Sequence, residues 1–207
     1  MTNQPFTILA VCTGNLCRSP LAAALLRGWA ASSLPASVRD SLRVVSAGTR
    51  APVGTPMSEH AVSLARELGV EPGAHEAQQL TEQMLREADL VLVATRAHRH
   101  EVARMLPRAA RVLYTFRELG ALAADVHAGA PPAARDRVED LQAALRAIAA
   151  RRGLAPRRAP DDDDVIDPIG QPLAVYRTMA SQLVPALAAS ASVLYGAEPA
   201  VLPLPRR

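Results

Sequence analysis

The chain contains no lysine, so every permanently charged cation among its 207 residues is one of 23 arginines. Cysteine is almost as scarce, at two, too few for the ligands of a structural zinc site. With no secretory leader read at the start, so few cysteines point to a reducing cytoplasm. Aromatic residues make up 3%, which leaves few rings to wall a deep recognition cleft. No apolar run approaches the ~20 residues of a membrane span. The longest candidate, around 183–195, is broken by Pro185 and several serines. The net charge of +3 and pI near 9.4 suit anionic partners but are too mild for a nucleic-acid binder. No membrane or nucleic-acid partner is expected.

What is present is enough apolar material, 49%, for a single domain with a substantial core. Strand and helix signals alternate. Strands are expected near 6–11, 42–46, 89–94 and 110–114, and helices near 19–32, 57–68, 81–87 and 97–106. A last helix runs from 171 to about 190. Such alternation predicts an α/β fold: one parallel sheet covered on both faces, with its site at the carboxyl end of the first strand.

That end is the most informative part of the chain. Residues 6–20 read FTILAVCTGNLCRSP, an apolar strand running into Cys12, with Arg18 six positions on. Ser19 is a favoured N-cap, Pro20 suits a first helical position, and residues 21–26 have high helix propensity. Gly14 and Asn15 tolerate the left-handed backbone a curled loop needs. Loop amides, helix N-terminus and Arg18 then make one positive cradle for a tetrahedral oxyanion. A thiol in such a field ionises more readily and becomes a nucleophile. Arg18 presents a planar fork to the equatorial oxygens that no lysine could reproduce.

CTGNLCRSP resembles the active-site loop of the low-molecular-weight protein-tyrosine phosphatases, a family that includes phosphatase-like arsenate reductases. Three further segments are similar in order along the chain: Ser46-Ala47-Gly48-Thr49, the strand 87–93, and Asp167-Pro168-Ile169-Gly170. The likeness covers 6–115 and about 163–195. It implies a four-stranded sheet in the order 2-1-3-4. It also implies a cysteinyl-phosphate mechanism without metal or cofactor, with Cys12 as nucleophile, Arg18 as anion clamp and Asp167 as general acid. Thr13, Gly14, Asn15, Leu16, Cys17 and Ser19 then form the substrate-binding loop. The resemblance has Ser19 donating to the Cys12 sulfur, and Asn15 held by a network with Ser46 and His75. Read from the residues alone, His75 is a plain surface histidine.

Within the family's terms, the expected substrate is a phosphorylated protein or small phosphomonoester, with phosphotyrosine the default. Ile169 stands where the family often has an aromatic residue, and Leu16 where phosphoarginine-directed members carry Thr. Arsenate reduction with an external small thiol is the alternative, since residues 18–207 contain no cysteine to resolve an arsenic adduct. A non-catalytic oxyanion- or phosphoprotein-binding module is the second. Cys17 is either a partner for a protective disulfide with Cys12, as in related enzymes, or a small side chain packed behind the loop. The acidic run Asp161–Asp164 reads as a solvated turn, and His98 and His100 as solvated helix residues.

A phosphatase domain is expected over 1–196, with an insertion at 116–160 that has no counterpart in the compact family pattern. Val138, Leu141, Leu145 and Ile148 mark one face of a helix beginning after Pro131-Pro132. Its flanks, 123–133 and 151–164, read as loops, the second of them mobile. The helix either packs on the core or a second subunit, which leaves a homo-oligomer open, or forms a rim over the site. The tail 197–207 is expected to be disordered rather than a polyproline ligand.

Overall fold

The first strand, β1 (Phe6–Cys12), is buried along its whole length, and its alternation assigns its side chains to two separate cores. Phe6, Ile8, Ala10 and Cys12 face one helical layer, and Leu9 and Val11 face the other. A strand apolar on both sides is the signature of a central parallel strand. The computed structural model describes residues 5–129, 135–156 and 158–200. In it β1 pairs in parallel with β2 (Leu42–Gly48) and β3 (Leu90–Val93), and β3 pairs with β4 (Leu113–Thr115). The order is 2-1-3-4, as expected.

One face carries α1 (Arg18–Ser33), α3 (Glu59–Glu67), α6 (Phe116–Gly129) and α8 (Leu173–Tyr195). The other carries α4 (Glu82–Glu87) and α5 (Arg96–Met105). A short α2 (Ala36–Arg39) joins α1 to β2. The fourth strand is shorter and later than its apolar signal: Pro107–Arg111 forms a 3-10 turn, and pairing begins at Leu113. Pro at the start of that turn costs no donor there, but would cost one in a strand.

Residues 116–151, within the expected insertion, carry two helices rather than one helix between loops. Residues 123–129, expected as loop, continue α6, whose Phe116, Leu119, Leu122 and Ala123 are buried against the core. At Gly120 the helix meets α8 so closely that a Cβ would lie 2.6 Å from the Cα of Ala186. The expected second helix is α7 (Val138–Arg151). It buries Leu141, Ala144 and Ile148, with Val138 and Leu145 packed partly against the same core. Pro131-Pro132 and residues 201–207 of the tail lie outside the described residues.

The return segment, expected to be mobile, is anchored. Arg152 donates to the carbonyls of Ala110 and Leu113 and pairs with Glu118 at 3.0 Å, its guanidinium 4.0 Å above the Tyr114 ring. A cavity of about 490 Å³ lies between this segment, α5 and α6. Its charges are largely matched internally: Arg99 and Arg152 bond Glu118, and Arg158 bonds Asp163.

The acidic run is likewise not a free solvated turn. Asp163 is buried in its 2.7 Å pair with Arg158, and Asp164 Oδ1 accepts the backbone N–H of Arg96 at 2.8 Å. Arg117 donates to the carbonyls of Asp161 and Asp164. Each of these bonds fixes backbone just upstream of Asp167, so α5, α6 and Arg158 steady the Asp167 loop from outside.

Candidate active site

The loop Thr13–Cys17 leaves β1 at its carboxyl end and enters α1 directly at Arg18. Ser19 does not cap this helix. The N-cap position is Cys17, whose side chain makes no capping bond, and Ser19 lies inside the first turn. Its hydroxyl is used elsewhere, 3.0 Å from Cys12 Sγ. Ser19 Oγ also accepts from Asn15 Nδ2 at 3.0 Å and lies 3.3 Å from the Ala47 carbonyl. Its single hydrogen therefore divides between that carbonyl and the sulfur, and a charged sulfur draws it.

Asn15 holds the loop's shape. Its φ of 57° is the only positive value on a non-glycine among the described residues. The side chain is fully buried, donating to Ser19 Oγ and to Ser46 Oγ at 2.8 Å and accepting from the backbone N–H of Gln78 at 3.0 Å. Its carbonyl, which can only accept, sits 2.7 Å from His75 Nε2, so that nitrogen carries the hydrogen. Burial is the main cause lowering the His75 pKa, with Arg27 adding to it and the Asn15 bond opposing. Strained backbone persists when its surroundings over-determine it, and four independent bonds do so here.

Gly48 supplies the room. A Cβ there would lie 2.4 Å from the Thr13 carbonyl and 2.9 Å from the Asn15 nitrogen. Thr49 and Arg50 continue the contact, donating to the carbonyls of Cys12 and Thr13. Among the described residues, none of the backbone N–H groups from Gly14 to Arg18 donates to a protein acceptor. Several amides with no internal partner around one concavity suit an anion.

Cys12, Thr13, Gly14, Leu16, Cys17, Arg18, Asp167 and Ile169 line a pocket of about 120 Å³. Arg18 is buried. Its Nη1 donates to the Val165 carbonyl at 3.2 Å, and its Nη2 to Thr13 Oγ1 at 3.3 Å and to Asp167 Oδ2 at 2.5 Å. Its Nε is buried with no partner among the described residues. The guanidinium thus holds an unused buried donor on Nε beside one lent to a half-exposed carboxylate. Asp167 Oδ1 in turn accepts the N–H of Ile169 at 3.3 Å.

The chain matches the family model described as low molecular weight phosphotyrosine protein phosphatase over residues 7–151. This chain belongs to that family. A probable low molecular weight protein-tyrosine-phosphatase, EpsP of Ralstonia nicotianae, is 44% identical over 96 residues, 46% of this chain and 60% of that protein. The alignment thus spans under two thirds of that curated relative. A protein-arginine-phosphatase of Geobacillus stearothermophilus is 37% identical over 115 residues, 56% of this chain and 72% of that protein. The solved YwlE arginine phosphatase from Geobacillus stearothermophilus superposes with a TM-score of 0.60 at 30% identity, covering 91% of this chain and 92% of that one.

As a member of this phosphatase family, the chain brings every expected loop residue to one place, together with Ser46, His75 and Asp167. Both cysteines are free and buried. Cys17 Sγ lies 3.3 Å from Ser58 Oγ and 3.5 Å from the Tyr176 hydroxyl, and burial pushes its thiol above the ordinary value.

Sequence reasoning missed three contributors. Gln78 locks both Asn15 and Ser46, donating from Nε2 to the Ser46 carbonyl at 2.7 Å; only its place in the polar run after His75 hinted at this. Thr95 caps α5, accepting from the N–H of His98, and was legible only as a cap signal. His98, expected in solvent, is buried, its ring bridging Thr95 Oγ1 at 2.6 Å and Thr13 Oγ1 at 2.9 Å. Its one-turn offset from the cap points it inward, whereas His100 is exposed as expected. Burial first, then Arg18, lowers the His98 pKa to about 4, against the opposing charges of Glu101 and Asp167. Arg50 adds a smaller lowering influence.

Proposed function

We propose that the chain is a phosphomonoester hydrolase acting on protein phosphotyrosine through a cysteinyl-phosphate intermediate. The observation that carries this reading is Cys12 Sγ in a small pocket lined also by Arg18 and Asp167, with Arg18 Nε left unpartnered.

In the proposed reaction the Cys12 thiolate attacks phosphorus in line with the ester oxygen. Arg18 turns Nε and Nη2 to two equatorial oxygens, and the loop amides receive the spreading charge. Asp167 leaves Arg18, takes up a proton from solvent, and gives it to the departing phenolic oxygen. Ser19 stabilises the sulfur as nucleophile and again as leaving group. The Asp167 carboxylate then takes a proton from water, which attacks the phosphocysteine and releases inorganic phosphate.

Substrate choice rests on the pocket walls. Leu16 and Ile169 give it an apolar lip, suited to the flank of an aryl ring. Asp167, engaged with Arg18, is the single carboxylate among the described residues lining it, and no second anion among them reads a guanidinium. Relatives named as arginine phosphatases make phosphoarginine the substrate to test beside phosphotyrosine.

The test is turnover of phosphotyrosine and phosphoarginine peptides by wild type, Cys12→Ser and Asp167→Asn, with thiol-dependent arsenate reduction measured alongside. Hydrolysis of phosphotyrosine, abolished in the serine variant and cut about 10²–10⁴-fold in the asparagine variant, supports the reading. Preference for phosphoarginine overturns the substrate. Arsenate reduction without ester hydrolysis overturns the reaction.

A further inference from the structure

Thr13 Oγ1 has hydrogen-bond neighbours on two sides. Arg18 Nη2 donates to it at 3.3 Å, and His98 Nε2 stands 2.9 Å away. The direction of that second bond depends on where the imidazole carries its hydrogen.

Thr95 favours one tautomer. Its Oγ1 accepts the backbone N–H of His98 as the α5 cap and lies 2.6 Å from His98 Nδ1. Among the described residues, no acceptor other than Nδ1 is in reach of the Thr95 hydroxyl. Thr95 therefore donates to Nδ1, and the ring hydrogen sits on Nε2. With its pKa lowered to about 4, the buried ring is neutral near pH 7, so it has one hydrogen to place. Nε2–H then donates to Thr13 Oγ1.

The consequence falls on Thr13. A hydroxyl oxygen has two lone pairs, here filled by Arg18 and His98. Its own hydrogen is left to turn toward the pocket that Thr13 lines with Cys12 and Arg18.

We infer that Thr13 is a phosphoryl-binding residue of this site, its hydroxyl donating to a phosphoryl oxygen, and that His98 is the positioning residue that aims it. This deepens the phosphatase reading and rests on it for its kinetic consequences. The donor is neutral and preorganised: His98 is held in place by the α5 cap, so no reorganisation is needed as charge develops. Swapping the tautomer would spend the Thr13 hydrogen on Nε2 and remove the donor.

Kinetics on p-nitrophenyl phosphate test both roles. Thr13→Val, which removes the hydroxyl at nearly constant volume, is expected to lower kcat about 10- to 100-fold, with KM within about threefold and vanadate inhibition weakened in parallel. Thr13→Ser restores the donor and stays within about threefold of wild type. His98→Leu is expected to lower kcat about 10-fold in the wild-type background and less than about twofold on top of Thr13→Val, because it acts through the same hydroxyl. His98→Gln, with an amide N–H at similar reach, recovers most of the loss.

Unchanged kcat and vanadate affinity in Thr13→Val overturn the role of Thr13. Full additivity of His98→Leu with Thr13→Val overturns the positioning role of His98. If wild type hydrolyses no ester, the phosphatase reading fails by itself. Calorimetric binding of inorganic phosphate to wild type and Thr13→Val then decides the inference: weaker binding in the variant sustains it and equal binding ends it.

Discussion

Arg18 Nη2 and Asp167 Oδ2 meet at 2.5 Å across the mouth of the Cys12 pocket. The group proposed to protonate the leaving oxygen thus occupies a donor that a phosphoryl oxygen needs. Binding substrate requires the pair to part, and parting frees both residues for their roles at once. In the proposed mechanism Asp167 competes with the substrate anion for Arg18.

Removing that competition has opposite effects on binding and on turnover. Asp167→Asn loses the charge that holds Arg18, so inhibition by inorganic phosphate is expected to tighten about three- to tenfold, roughly the worth of an exposed ion pair. Turnover of phosphotyrosine peptide falls in the same variant. Phosphate inhibition constants and kcat on one preparation check both; weaker phosphate binding would show that the pair does not compete.

Gly48 is expected to tolerate no side chain. The added Cβ of Gly48→Ala meets backbone, the Thr13 carbonyl and the Asn15 nitrogen, not a flexible side chain, so the loop itself must shift. A misplaced loop should cost about 10²-fold or more in kcat/KM, with about 1–3 kcal/mol of stability. Urea unfolding and steady-state kinetics measure the two separately.

Gly120 offers the matching test on the insertion. In Gly120→Val the added atoms meet the backbone of Ala186 on α8. The crossing must open, at an expected cost of about 2–3 kcal/mol. No described residue of 116–160 lines the pocket, so kcat on p-nitrophenyl phosphate should hold within about twofold in the folded fraction. A changed preference between a small aryl phosphate and a phosphopeptide would instead support the rim role for the insertion.

Acid should unfold the protein partly through its histidines. His75 and His98 both have folded pKa values below the ordinary 6.5, His98 at about 4. Below pH 6.5 the unfolded chain takes up protons that the folded one refuses. The stability contribution is complete above pH 6.5 and is lost as pH falls toward 4. His98 alone accounts for about 3 kcal/mol of this. Urea midpoints between pH 7 and pH 4 should fall less steeply in His98→Gln; parallel curves would contradict the burial of a neutral ring.

The first strand and the loop from Cys12 to Ser19 were legible because each is local, and the parallel sheet because strands and helices alternate; its order came from the resemblance to the family. Both faces of β1 are apolar within seven residues, and Cys12, Gly14, Asn15 and Arg18 carry chemistry that few other residue types supply. Ser19 shows where local reading misleads: its type and position announce a helix cap, while Cys12 and Asn15, across the loop, claim its hydroxyl.

What escaped depends on distant packing. His98 on α5 looks outward by composition, and only the meeting of β3 with β1 brings it against Thr13, 85 positions earlier. Asp163 looks solvated until Arg158 folds back on it. Gly120 carries no signal for its contact with Ala186, since a glycine in a helix reads as a weak point until a second helix crosses there.

Rapid-quench analysis of Asp167→Asn with p-nitrophenyl phosphate, whose leaving group needs little proton assistance, addresses the sulfur directly. A burst of nitrophenolate equal to the enzyme concentration, with phosphate recovered on the peptide bearing Cys12, is the predicted result. Steady turnover with no burst and no phosphate on Cys12 would contradict it.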